Sequence, residues 1–202
     1  EAPRQPPAPE ATGANGRCAV LTLPFVLLAT AFALAAAISS VNSVHLITML
    51  QSRDIALPAA VALGALVGPA QVTARVAEMV IGRYHHPIWT LVASVLLVTA
   101  GIALLWSALP VIAAALMLYG AGIGIHSIAR GTVPLALFGS QGYATLMGRL
   151  ARPGLIAGAV SPTLGALLLE SAGTDATLGV LSLLTLVTVA IAAAIVLSTK
   201  RN

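Results

Sequence analysis

Asn42 and His45 stand three residues apart in a stretch with no Asp, Glu, Lys or Arg, and Gln71, Tyr119 and His126 interrupt other apolar runs. A polar side chain in such surroundings is costly to bury, so each is a candidate for solute binding. Asn42 and His45 share a helix face. They line a cavity, satisfy each other, or sit near an interface. Gln71 either faces a cavity or bonds the carbonyl that Pro69 frees. Tyr119 offers an amphipathic ring with one hydroxyl handle, or simply packs in a core. His126 suits a proton step because a histidine titrates near neutral pH, or it is a hydrogen-bonded interfacial group. Gly120, Gly122 and Gly124 follow Tyr119 and suit close helix approach.

A second set is charged. Arg75 and Glu78 lie three apart on one helix face, as a local ion pair or a solvated one. Arg130 ends "GIGIHSIAR" and is either a topology anchor with its head at the interface or a gate contact. No Asp or Glu falls in the central part of any long apolar run, so no buried carboxylate is on offer as a proton carrier.

Enzymatic chemistry finds little support. Ser140 sits in "FGSQG", the wrong order for an intramembrane serine nucleophile. His85 and His86 are adjacent, but no further Cys, His or acid stands at a metal-ligand spacing. The expectation is no catalytic residue, no metal and no cofactor.

The elements that carry these residues follow from composition. Apolar residues make up 58% of the 202 and charged residues only 8%, with a mean hydropathy of +0.99. A soluble domain usually carries about 25% charged residues, so the chain reads as an integral membrane protein. Low aromatic content with abundant Gly and Ala favours packed helices over a barrel. The single Cys18 excludes a disulfide within the chain. The net charge of +4 is read from where the charges fall, and nucleic acid is not an expected partner.

A spanning helix needs about 20 mostly apolar residues. Breaks at "QSRD", at Arg75 to His86, at "WSALP", at Arg130 to Arg149 and near Glu170 to Asp175 divide the chain into six spans. They fall at about 19–50, 55–79, 88–107, 109–133, 150–170 and 176–199. Trp89 and Trp106 bracket the third, about 26 Å apart along a helix. "GYATLMGRLARP" before the fifth reads as a short basic amphipathic helix on the membrane surface. Residues 1–18 are a Pro-rich linker, expected to tether the domain to an upstream part, and 200–202 form a tail.

Six spans put both termini on one side. Nine of the ten Lys and Arg residues fall on that side and only Arg53 on the other, which predicts cytoplasmic termini.

The second and fifth spans each carry a G-x-x-x-G pair, Gly64 with Gly68 and Gly154 with Gly158, and each carries a mid-span proline, Pro69 or Pro162. Prolines there are expected kinks. Matching positions in two three-helix triplets of opposite sense point to an inverted repeat, with the binding region near the interrupted helices.

With "YGAGIGIHSIARG" in the fourth span, "RGTVPLALFGSQGYATLMGRLARP" after it, "SPTLG" in the fifth and "GPAQVTARVAEM" in the second, the chain resembles the carboxy-terminal six helices of a bacterial major facilitator superfamily transporter. The resemblance covers residues 20–199. It implies half of a twelve-helix fold, a partner amino-terminal six-helix half, alternating access of a small solute, and a place in the inner membrane. The family's Asp-Arg dipeptide in the loop after the second helix is missing. Arg75, Glu78, Gly82 and Arg83 occupy that region. The alternative is a self-contained six-span protein that pairs with a second copy to form a carrier or channel.

Overall fold

The computed structural model describes residues 23–107 and 111–200. The linker, Arg4, Arg17, Cys18, Leu109, Pro110 and Arg201 lie outside the described residues. The described chain is helical and contains no strand. In order, α1 is Leu23–Gln51, α2 Leu57–Ala65, α3 Val67–Ile81, α4 Pro87–Trp106, α5 Ile112–Phe138 and α6 Tyr143–Lys200, with a 3-10 turn at Gly82–Tyr84. Five stretches among them are long and apolar enough to cross a membrane: α1, Leu57–Tyr84, α4, α5 and α6.

Local chemistry sets the breaks. Helix α4 starts where His86, in extended backbone, accepts the amide of Ile88 on Nδ1 and Pro87 takes the first helical position. Helix α5 runs through Pro134 and ends at Gly139, whose φ of 74° no side-chain-bearing residue adopts readily. The second apolar stretch breaks at Leu66, with Pro69 in the first turn that follows. Pro69 cannot donate to the carbonyl four residues back, so the ladder is weakened where the helix parts.

Helix α6 is continuous from Tyr143, so the stretch expected to be a separate surface helix is the first turns of this element. Its backbone is helical through Pro153 and Pro162 and departs at Gly173, with φ 81° and ψ −179°. That region is open almost only to glycine.

Two apolar clusters show how the helices run. One joins Leu46, Met49 and Leu50 of α1 to Ile102 and Leu105 of α4, Leu116 of α5, and Leu178 and Leu181 of α6. The other joins Phe25 and Leu28 of α1 to Leu91 and Val95 of α4, Ala129 and Val133 of α5, and Leu146, Leu150 and Ile195 of α6. The last helix therefore starts and finishes in the second cluster and meets the first in between. Its segments before and after Gly173 run in opposite directions, the earlier one parallel to α1.

Close backbone contact comes from α5 and α4. A Cβ on Gly120 would lie 2.7 Å from the Val67 carbonyl oxygen, and one on Gly122 would lie 2.8 Å from that of Ser94. Gly124 meets the Gln71 backbone as tightly, and Gly101 meets that of Ala115 and Tyr119. The G-x-x-x-G pairs do not make these approaches. Gly68 has nothing within 4 Å, and Gly158 reaches only Ala36 at 4.0 Å.

Candidate functional site

Helices α1, α3, α4, α5 and α6 surround a cavity of about 590 Å³. At one end are Ile38, Val98 and Ile123, which belong to or pack on the first apolar cluster. At the other are Arg75, Arg130 and Met147, level with the second cluster. Phe32 and Val95 form apolar walls between them, and Ser39, Ser94, Ser127, Thr185 and Thr188 supply hydroxyls.

Most of these hydroxyl protons are committed to their own helices. Ser94 donates to the Leu91 carbonyl at 2.7 Å and Ser127 to that of Gly124 at 2.7 Å. Thr185 donates to Ser182 at 2.7 Å and Thr188 to Leu184 at 2.8 Å. Back-bonding of this kind shields a buried hydroxyl without a partner helix. His126 stands edge-on to Phe32, ring centres 5.5 Å apart, with Nδ1 3.4 Å from Ser94 Oγ. The contact is long, and which of the two atoms donates depends on the tautomer of the imidazole.

Of the residues singled out in the sequence, the cavity brings together Arg75, His126 and Arg130. Asn42, His45, Gln71 and Tyr119 lie outside its lining. Asn42 and Tyr119 are 1% and 3% exposed and lie side by side, close enough for the amide to act on the hydroxyl though not in the geometry of an ordinary hydrogen bond. His45 turns to α6 and places Nε2 2.9 Å from the Pro162 carbonyl oxygen. Asn42 and His45 therefore do not satisfy each other. Gln71 Oε1 lies 3.5 Å from Arg75 Nη2, a long contact.

Arg75 and Glu78 do not form the pair their spacing suggested. Glu78 is buried, accepts from Thr90 Oγ1 at 2.6 Å and lies 3.6 Å from His85 Nε2. The carboxylate crosses to the next helix and fastens the α3–α4 connection, so it is no part of the cavity. Arg53 pairs with Asp175 at 3.0 Å, at the opposite end of the bundle. Arg53 also donates to the carbonyls of Leu105 and Trp106. Trp106 and Trp89, at the two ends of α4, are about half exposed.

Reasoning from the sequence missed Phe32, Ser39, Ser94, Ser127, Thr185 and Thr188. A signal was present for the last pair, which repeat at the three-residue spacing of one helix face. No group of three or more His, Cys, Asp or Glu residues able to hold a metal occurs among the described residues. No family model matches the chain, and no curated protein and no solved structure matches it.

Proposed function

We propose that this chain is a solute-translocating membrane domain of six spans, arranged as two inverted triplets, that works by alternating access as one half of a major facilitator-type carrier. The observation that carries the proposal is the open cavity of about 590 Å³ between apolar helices, a size suited to a small molecule. The change of direction at Gly173 supports the sixth span, since 58 helical residues would extend about 87 Å, far beyond a bilayer. The parallel course of α1 and the segment 143–172 supports an arrangement in which first and fifth spans run the same way.

On this reading the Arg75 and Arg130 end of the cavity opens to the cytoplasm, where the positive-inside rule puts both termini, and the membrane is a bacterial inner membrane. The span Leu57–Tyr84 has only 6% of its apolar window buried. That face fits a partner six-helix half, and equally the face of a second copy, which is the alternative assembly.

The test uses a Cys at Ser39 and another at Ser127, with Cys18 replaced by Ser, in sealed proteoliposomes. A carrier exposes Ser39Cys to an impermeant thiol reagent from either side as solute is added to one side or the other. It also supports counterflow of that solute, which a Trp at Ser127 blocks. Labelling fixed to one side under every condition, with no counterflow of any solute screened, contradicts alternating access.

A further inference from the structure

We propose that the cavity selects an amphipathic organic anion, held by its carboxylate or phosphate head at Arg75 and Arg130 with its apolar body against Phe32, Ile38, Val98 and Ile123. This rests on reading the cavity as a solute site and names the class of solute.

The charge balance of the lining is one-sided. Among the described residues, two guanidiniums line the cavity and no Asp or Glu does. The nearest acid in sequence, Glu78, is turned away onto Thr90 and His85. Asp175 is engaged with Arg53 at the other end of the bundle. An uncompensated cation beside an apolar void favours an anion over a neutral or cationic guest.

The hydrogen-bond balance points the same way. Ser94, Ser127, Thr185 and Thr188 have given their protons to backbone carbonyls. His126 Nδ1 is in contact with Ser94 Oγ at 3.4 Å. The donors still open to a guest are the Ser39 hydroxyl and the guanidiniums of Arg130, which lies in no ion pair among the described residues, and of Arg75, held only by the long contact to Gln71; only the guanidiniums are charged. A guanidinium binds a carboxylate or phosphate through two parallel N–H groups, so the free donors match a planar or tetrahedral oxyanion.

The body of the guest follows from the opposite end. Ile38, Val98 and Ile123 are apolar and the one polar side chain beside them, Ser39, is an uncharged hydroxyl, so no cation waits at this end for a second anionic head. The site thus calls for one charged head on an aliphatic or aromatic stem. Two sources supply that chemistry, a water-soluble acid and an anionic lipid.

The experiment is calorimetric titration of the full-length protein in phosphatidylcholine nanodiscs with 4-phenylbutyrate, its uncharged amide and the matching amine. The acid is expected to bind about tenfold or more tightly than the amide, with no binding of the amine. Arg130→Gln and Arg75→Gln, both exposed enough to fold, are each expected to weaken the acid about tenfold and leave the amide unchanged. Repeating the titration with phosphatidylglycerol in the discs separates the sources. Competition with the acid assigns the site to lipid, and its absence to a soluble anion; both support an anion site. Equal binding of acid and amide, preference for the amine, no binding of any probe in either disc, or Gln variants that keep the acid preference would overturn the inference. Because no uptake is read, selective binding with failed counterflow sinks only the carrier reading.

Discussion

Ser40 Oγ donates to the Gly158 carbonyl oxygen at 2.8 Å. That carbonyl lies four residues before Pro162, whose ring nitrogen has no hydrogen to give it. A hydroxyl on α1 thus replaces the missing helical bond in α6. One turn along, His45 bonds the Pro162 carbonyl. In an apolar solvent an orphaned carbonyl is costly, and neighbouring side chains are how a proline in a span is accommodated.

Ser40→Ala is therefore expected to destabilise the protein by about 1 kcal/mol, the scale of an interhelical bond in a membrane. Pro162→Ala restores an N–H to Gly158, so Ser40→Ala made on that background costs less. Reversible unfolding in bicelles of the two single variants and the double variant measures the difference. Full additivity would show that Ser40 is not compensating for the proline.

Thr90→Val removes the donor to the buried Glu78 carboxylate while keeping the shape. An expected loss of about 1–3 kcal/mol follows from leaving a buried acceptor underbonded. Glu78→Gln on the Thr90→Val background relieves part of that loss. A melting temperature unchanged by Thr90→Val would show that water reaches Glu78.

How much of this was legible in the sequence depends on the kind of information asked for. Uncharged runs and turn residues mark where helices start, as at His86–Pro87, but their ends are less legible: the fourth span, read as ending near 133, runs on to Phe138 before Gly139 stops it. They do not say which way a helix face turns. In a chain whose outside is as apolar as its inside, periodicity does not separate the two. Asn42 and His45 share a face, but that face looks at Tyr119 and α6 and misses the cavity. Arg75 and Glu78 have the spacing of an intrahelical pair, yet burial against α4 draws the carboxylate across the turn. The cavity itself needs five elements brought together, and no local pattern encodes that. The glycines illustrate the same limit: of the visible G-x-x-x-G pairs only Gly64 has a close neighbour, a side-chain tip of Ile47, while Gly120, Gly122 and Gly124 press on the backbone of other helices.

Gly124→Val and Gly68→Ala separate those two kinds of glycine. A Cβ at Gly124 falls on the Gln71 backbone, which cannot swing aside as a side-chain tip does. The expected cost is about 2 kcal/mol or more. At Gly68 the space is open, and alanine in a helix is expected to be neutral or to stabilise by up to about 1 kcal/mol. Detergent melting curves of the two variants test the contrast, and equal effects would contradict the packing described.

Arg53 and Asp175 pair at 3.0 Å, but the two side chains are 16% and 84% exposed. The exposed pair itself is worth less than about 1 kcal/mol. Arg53 also ties down the Leu105 and Trp106 carbonyls at the end of α4, so Arg53→Ala is expected to cost about 1–3 kcal/mol. Asp175→Asn is expected to change little. The reverse order in unfolding measurements would assign the stabilisation to the ion pair.

The proposed six-span topology depends on the reversal of α6 at Gly173. Single cysteines at Arg53, Arg83, Ser140 and Asp175, with Cys18 replaced by Ser, can be labelled in intact cells with a membrane-impermeant thiol reagent. Positions 53 and 175 are expected to label from outside, and 83 and 140 only after the membrane is opened. Labelling of 140 and 175 from the same side would mean that the segment 143–172 does not cross, and the six-span arrangement would be contradicted.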